Sequence, residues 1–238
     1  MQRCWISLVF VLSMIFSATA QDLPDTCFYQ TSDWPEISDS LSSDISQSTY
    51  LDTAYAPAFY ISLAHYPDLY DTEIHFREKK IKTTAATRPS FWSVFKKPDN
   101  RSFWIFINNK NKQGKSVYYA ELPYNAKIGL VGHELSHILD YSRMSSFEMM
   151  RMGIKYVFSS KYRQKLEYHV DQQAIDHGLG CQVFTFSDFI INKSQASPNY
   201  INYKRKYYML PEEIIEYMQI SDSINGEEFY RFFEAGQD

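Results

Sequence analysis

The chain has 238 residues, 17% of them aromatic (19 Tyr, 17 Phe and 4 Trp), and carries 24 Lys and Arg against 28 Asp and Glu for a formal charge of −4. That length and apolar bulk suit one sizeable domain with a full core. A mildly acidic balance without a long basic run argues against nucleic acid and against an anionic membrane as partners.

At the N-terminus, Arg3 is followed by an apolar run from Trp5 to Phe16 and then by Ala18-Thr19-Ala20, the small-residue pattern of a cleavage site. This predicts a signal peptide over residues 1–20 and a secreted or periplasmic product. An uncleaved anchor is the alternative, but the run is shorter than the roughly 20 residues of a spanning helix. No stable membrane insertion is therefore expected once the leader is cut. Cys27 and Cys181 remain in the mature chain. An oxidising compartment allows them to join, although sequence does not show whether their geometry does.

Residues 21–49 are expected to form a flexible N-terminal segment, because 31–49 is rich in Ser and Asp with little apolar periodicity. A single domain is expected over 50–238. It opens with a helix between Tyr50 and Tyr66, with Pro57 at its start or at a break. "TEIHFREKKIKTT" alternates like a strand exposed on one face, and "RSFWIFIN" reads as a strand covered on both. With the polar "NKNKQGKS" and then "VYYAELP", the stretch from 103 to 122 predicts a β-hairpin with a long connection.

Asn125 is placed to cap the next helix, whose core face is Ile128, Val131, Leu135 and Ile138. Gly129 and Gly132 cost helix stability, so they imply close packing against a neighbour. Phe147, Met150, Ile154 and Val157 outline a further amphipathic helix. Residues 160–177 outline another, with Gly178 at its stop, and Pro211 with Glu212 and Glu213 opens a last one.

Within "GHELSHILDY", His133 and His137 stand four positions apart, so on a helix both imidazoles reach one ion from the same face. Glu134 sits beside that ion without ligating it. A zinc ion with three protein ligands acidifies a bound water, and a neighbouring carboxylate can take the proton as water attacks a carbonyl. The third ligand is sought in "KLEYHVDQQAIDHG". There Glu167 and Asp171 lie one turn apart and share a face with Val170 and Ala174, which suggests that the face is turned inward. Glu167 completes a His2Glu set, and Asp171 can accept a hydrogen bond from the other nitrogen of a ligand imidazole, assigned to His133. His169 is the rival ligand, but it lies roughly 200° around the helix from Glu167.

His133-Glu134-x-x-His137 followed by Glu167-x-x-x-Asp171 resembles the gluzincin branch of the HExxH zinc metallopeptidases, with Val170 where the second motif usually has alanine. The resemblance implies that His133, His137 and Glu167 bind one Zn2+ per chain, that Glu134 is the general base and acid, and that Asp171 orients a ligand. It implies an α+β, zincin-like fold: a mixed β-sheet packed on the active-site helix, followed by a mostly helical C-terminal half. In such a fold an edge strand binds the backbone of a peptide or protein substrate, and one strand of the 103–122 hairpin is the candidate for that edge. No residue that would stabilise an oxyanion follows from spacing; Tyr168, His177 and Arg163 are available.

The alternatives are an ordinary metal-free helix and a catalytically inactive zinc-binding protein on the same scaffold. His65, His75 and His177 read as packed or surface histidines rather than ligands. Tyr118-Tyr119 and Tyr207-Tyr208 read as packing aromatics.

Overall fold

In a computed structural model of the chain, the residues described are Leu23, 27–41, 54–109 and 116–225. The expected leader at 1–20 and residues 42–49 of the expected flexible segment lie outside them. The elements are α1 (Trp34–Leu41), α2 (Ala56–Ala64), β1 (Glu73–Glu78), β2 (Ala85–Pro89), β3 (Ser102–Ile107), α3 (Tyr124–Arg143), α4 (Ser146–Phe158), α5 (Ser160–Ala174), α6 (Gly180–Asp188), α7 (Pro198–Tyr207) and α8 (Pro211–Asn225). The class is α+β, a three-stranded mixed sheet with a mostly helical remainder.

The sheet order is β1-β3-β2, with β3 parallel to β1 and antiparallel to β2. β3 is central because it is the most apolar strand: Phe103, Ile105 and Ile107 have no exposure, and Trp104 on the other face stacks on His75 at 4.7 Å. Among the described residues β3 pairs with nothing at 117–122, so the expected hairpin from 103 to 122 is not seen there. Both partners of β3 precede it in sequence, and 116–123 holds only a short 3-10 turn, Tyr119–Glu121. The Asn108 side chain donates to Ile81 O and Ser116 Oγ, and its carbonyl accepts the Tyr119 N–H, which turns the chain away from the sheet. Val117, Tyr119 and Leu122 are then buried by core packing instead of strand pairing.

Helix α1 lies within the segment whose composition suggested a flexible linker. Its Leu41 is buried, Trp34 and Ile37 rest against the core, and α1 contacts α2. Asn125 does not cap α3, which starts after Pro123. Its side chain instead accepts from Tyr29 N at 3.0 Å and donates to Tyr29 O at 2.9 Å, clamping the N-terminal strip onto α3. A Cys27–Cys181 disulfide, Cα atoms 6.1 Å apart, ties the same strip to α6.

Helix α3 is the buried axis of the domain, with Ile128, Val131, Leu135 and Ile138 at zero exposure. It crosses α6 where a Cβ on Gly129 would strike the Gln182 carbonyl and one on Gly132 the Leu179 side chain. At the end of α5 the chain passes through Gly178 at φ +82°, a left-handed position that glycine takes without strain, and re-enters a helix as α6. The four apolar positions that outlined α4 are exposed; the face turned inward is Met149 and Met152. Among the described residues no helix is long and apolar enough to cross a membrane.

Candidate metal centre

α3 supplies His133, Glu134 and His137, and α5, which packs against it, supplies Glu167 and Asp171; all five side chains are buried. One ligand atom from each of His133, His137 and Glu167 lies within 4.8 Å of the others, a group that could hold a metal ion. Glu167 Oε2 is 3.3 Å from His133 Nε2 and 3.6 Å from His137 Nε2, and the two imidazole planes meet at 87°.

Each ligand but one is oriented from behind. Asp171 Oδ1 accepts the His133 Nδ1–H at 2.7 Å, so the tautomer leaves Nε2 facing Glu167. Asp171 is itself held through Oδ2, which accepts the Met209 N–H at 3.0 Å. Glu167 Oε1 accepts the Tyr156 hydroxyl at 2.6 Å, leaving Oε2 for the cluster. Oε2 of Glu134, Nδ1 of His137 and Oε2 of Glu167 are buried without a hydrogen bond. Buried acceptors left so are costly, and a cation between the imidazoles answers the Glu167 oxygen directly. The residues present thus fit a metal ion bound by nitrogen and oxygen.

Electrostatics support the same arrangement. Burial pulls the His133 imidazole down, but the Asp171 and Glu167 carboxylates outweigh it and push the group up to about 10. Burial alone would raise Glu167, yet the His133 and His137 imidazoles close to its Oε2 hold it well below 4.5. In the metal-free chain the cluster is therefore an ion pair, and His133 must release its Nε2 proton before that nitrogen can ligate.

His133, Glu134, His137 and Glu167 line a cleft of about 770 Å³. β2 forms another wall: Ala85, Ala86, Thr87, Arg88 and Pro89 line it, and Thr87 Oγ1 donates to Glu134 O at 3.4 Å. The edge strand at the site is accordingly β2, not part of a 103–122 hairpin. Its run of small residues ending in proline gave no strand signal.

His169 lies on the far side of α5, largely exposed, with Nε2 3.4 Å from Asp140. Tyr168 donates to Glu213, Arg163 donates to the Tyr156 carbonyl, and His177 stacks on Tyr66 at 4.4 Å, so none of the three lines the cleft. Tyr208, read as a packing aromatic, does: its ring is 5.5 Å from that of His133, and Lys204 Nζ lies 3.3 Å from its ring centroid. Tyr156 and Tyr208 come from separate elements, and no spacing rule connects them to the two helical motifs.

Asp171→Asn removes the charge that raises His133 while keeping an acceptor oxygen. It is expected to weaken metal uptake about 10- to 100-fold, measured by competition with a chromogenic chelator. Unchanged affinity would remove Asp171 from the site.

No protein-family model matches the chain, no curated protein matches its sequence, and no solved structure matches its fold.

Proposed function

We propose that this chain is an exported zinc metallopeptidase of gluzincin type that hydrolyses peptide bonds in peptide or protein substrates. The observation that carries the reading is the convergence of His133, His137 and Glu167 at the wall of an open cleft, with Glu134 on the same helix and an oxygen free of hydrogen bonds. The donor set of two imidazoles and one carboxylate suits a single Zn2+ with an open position.

When bound, zinc supplies Lewis acidity, which polarises the scissile carbonyl and acidifies a water. Glu134 takes a proton from the attacking water and delivers it to the leaving amine nitrogen, so that one C–N bond breaks as one C–O bond forms. β2 binds the substrate backbone as an added strand, which aligns the scissile bond along the cleft. Tyr208 lines the same cleft, and burial with the nearby Glu167 charge raises its phenol well above the ordinary value. It stays protonated and donates to the oxygen on which negative charge develops. Export rests on the predicted leader at residues 1–20.

The test is elemental mass spectrometry of the chain, purified without a histidine tag and dialysed against metal-free buffer. Close to one zinc per chain is expected. Zinc absent and not taken up on titration would end this reading.

A further inference from the structure

The mouth of the cleft is bordered by two apolar ridges that face solvent. On one side, the turn after β2 presents Phe91, Trp92 and Phe95 at 74%, 76% and 73% exposure. On the other, α4 exposes Phe147, Met150, Ile154, Val157 and Phe158, the last at 84%. Helical spacing puts these five on one arc, with Met149 and Met152 opposite and Arg151 and Lys155 along one border. Ser146 Oγ donates to Val94 O at 2.6 Å and joins the ridges at their base. Contiguous apolar surface of this kind marks an interaction face.

Arg151 and Lys155 give this face a cationic border on α4, and the segment that follows is rich in cations although the whole chain is not. From Ser146 to Lys165 stand five cations, Arg151, Lys155, Lys161, Arg163 and Lys165, against the single carboxylate Glu148, in a chain of formal charge −4. Arg88 adds an exposed guanidinium at the end of β2. Lys96 and Lys97 share a shallow cavity with Asp71, Glu73 and Asp99, so their charge is largely offset. The overall charge, which argued against anionic membranes, averages over this asymmetry.

The ridges also extend past the cleft: Trp92, Ile154 and Phe158 are exposed but do not line it, so a peptide seated there would leave them uncovered. A second copy would bring one cationic border against another in a two-fold contact. An anionic bilayer meets both demands, since apolar side chains enter the acyl boundary while the cations stay among the phosphates. We propose that this face docks the protein peripherally on an anionic lipid bilayer, with the cleft mouth at headgroup level. Resting on the peptidase reading, the substrates are then polypeptide segments held close to a membrane surface.

The test is flotation of the chain with vesicles of phosphatidylglycerol and phosphatidylcholine in equal parts, and with vesicles of phosphatidylcholine alone. Co-flotation with the anionic vesicles, weakened by salt, is expected. The double variant Trp92→Ser, Phe158→Ser should bind at least about tenfold more weakly. Arg151→Glu with Lys155→Glu should lose about fivefold or more per charge. The N-terminal apolar run is common to every variant, so differences among them read this face alone. Equal binding by all variants overturns the proposal. So does absence of flotation, whether the chain self-associates through these residues in sedimentation or stays monomeric. Metal content, measured on the same preparation, reports the metallopeptidase reading separately.

Discussion

Glu134→Gln is expected to lower kcat/KM on unstructured protein and peptide-library substrates by about 10²- to 10⁴-fold, with fold and metal content unchanged. The substitution is isosteric, and Glu134 Oε2 has no hydrogen bond to lose, so no partner of that oxygen is stranded. What disappears is a carboxylate able to take a proton from water beside the ligand cluster. Circular dichroism and elemental analysis check that the loss is chemical. Undiminished turnover in the variant would strip Glu134 of its role. A parent chain that holds zinc yet cleaves nothing in such a screen would instead be the silent binding protein.

The second large effect is expected at Glu167. Glu167→Ala removes the oxygen between two imidazoles, leaves the Tyr156 hydroxyl without its acceptor, and strands two buried histidines beside each other. Zinc affinity should fall by more than about 100-fold, beyond the loss expected for a residue that only orients a ligand. His169→Ala, on the exposed side of α5, should leave it unchanged; the reverse outcome would exchange the two residues.

The same variant bears on stability. Zinc at a thousandfold excess over its Kd stabilises a binding-competent fold by about 4 kcal/mol, or roughly 8–16 °C in Tm for a domain of this size. Calorimetry with and without chelator should show that shift in the parent and not in the variant. In the metal-free parent, Glu167 is held well below 4.5, so its contribution is present above that pH and fades as pH falls. Glu167→Ala should flatten that part of the acid profile.

Much of the centre was legible because helical geometry is periodic. Once α3 and α5 are helices, four-residue spacing brings His133 to His137 and Glu167 to Asp171, and the glycines at 129 and 132 announce a close crossing. What periodicity lacks is a direction. On α4 it grouped Phe147, Met150, Ile154 and Val157 correctly, but Met149 and Met152 offer an equally apolar opposite face, and tertiary packing chose that one. β2 was missed because Ala85, Ala86 and Pro89 have little strand propensity; pairing with β3 holds them extended. The false hairpin had the opposite cause, apolar residues at 117–122 that are buried without pairing. Tyr156 and Tyr208 reach the centre by tertiary placement, which one-dimensional spacing does not encode.

The Cys27–Cys181 bond, joining residues 154 positions apart, encloses every element from α1 through α5 in one covalent ring. A protease that cuts between Leu41 and Ala54 therefore opens the ring without producing two molecules. The strip from Cys27 to Leu41 stays attached, and Tyr29 keeps its clamp on Asn125. Such a nicked chain migrates as one species on a non-reducing gel and as two after reduction, so maturation by a cut in that interval would change the backbone's connectivity while leaving the helix that carries His133 still covered.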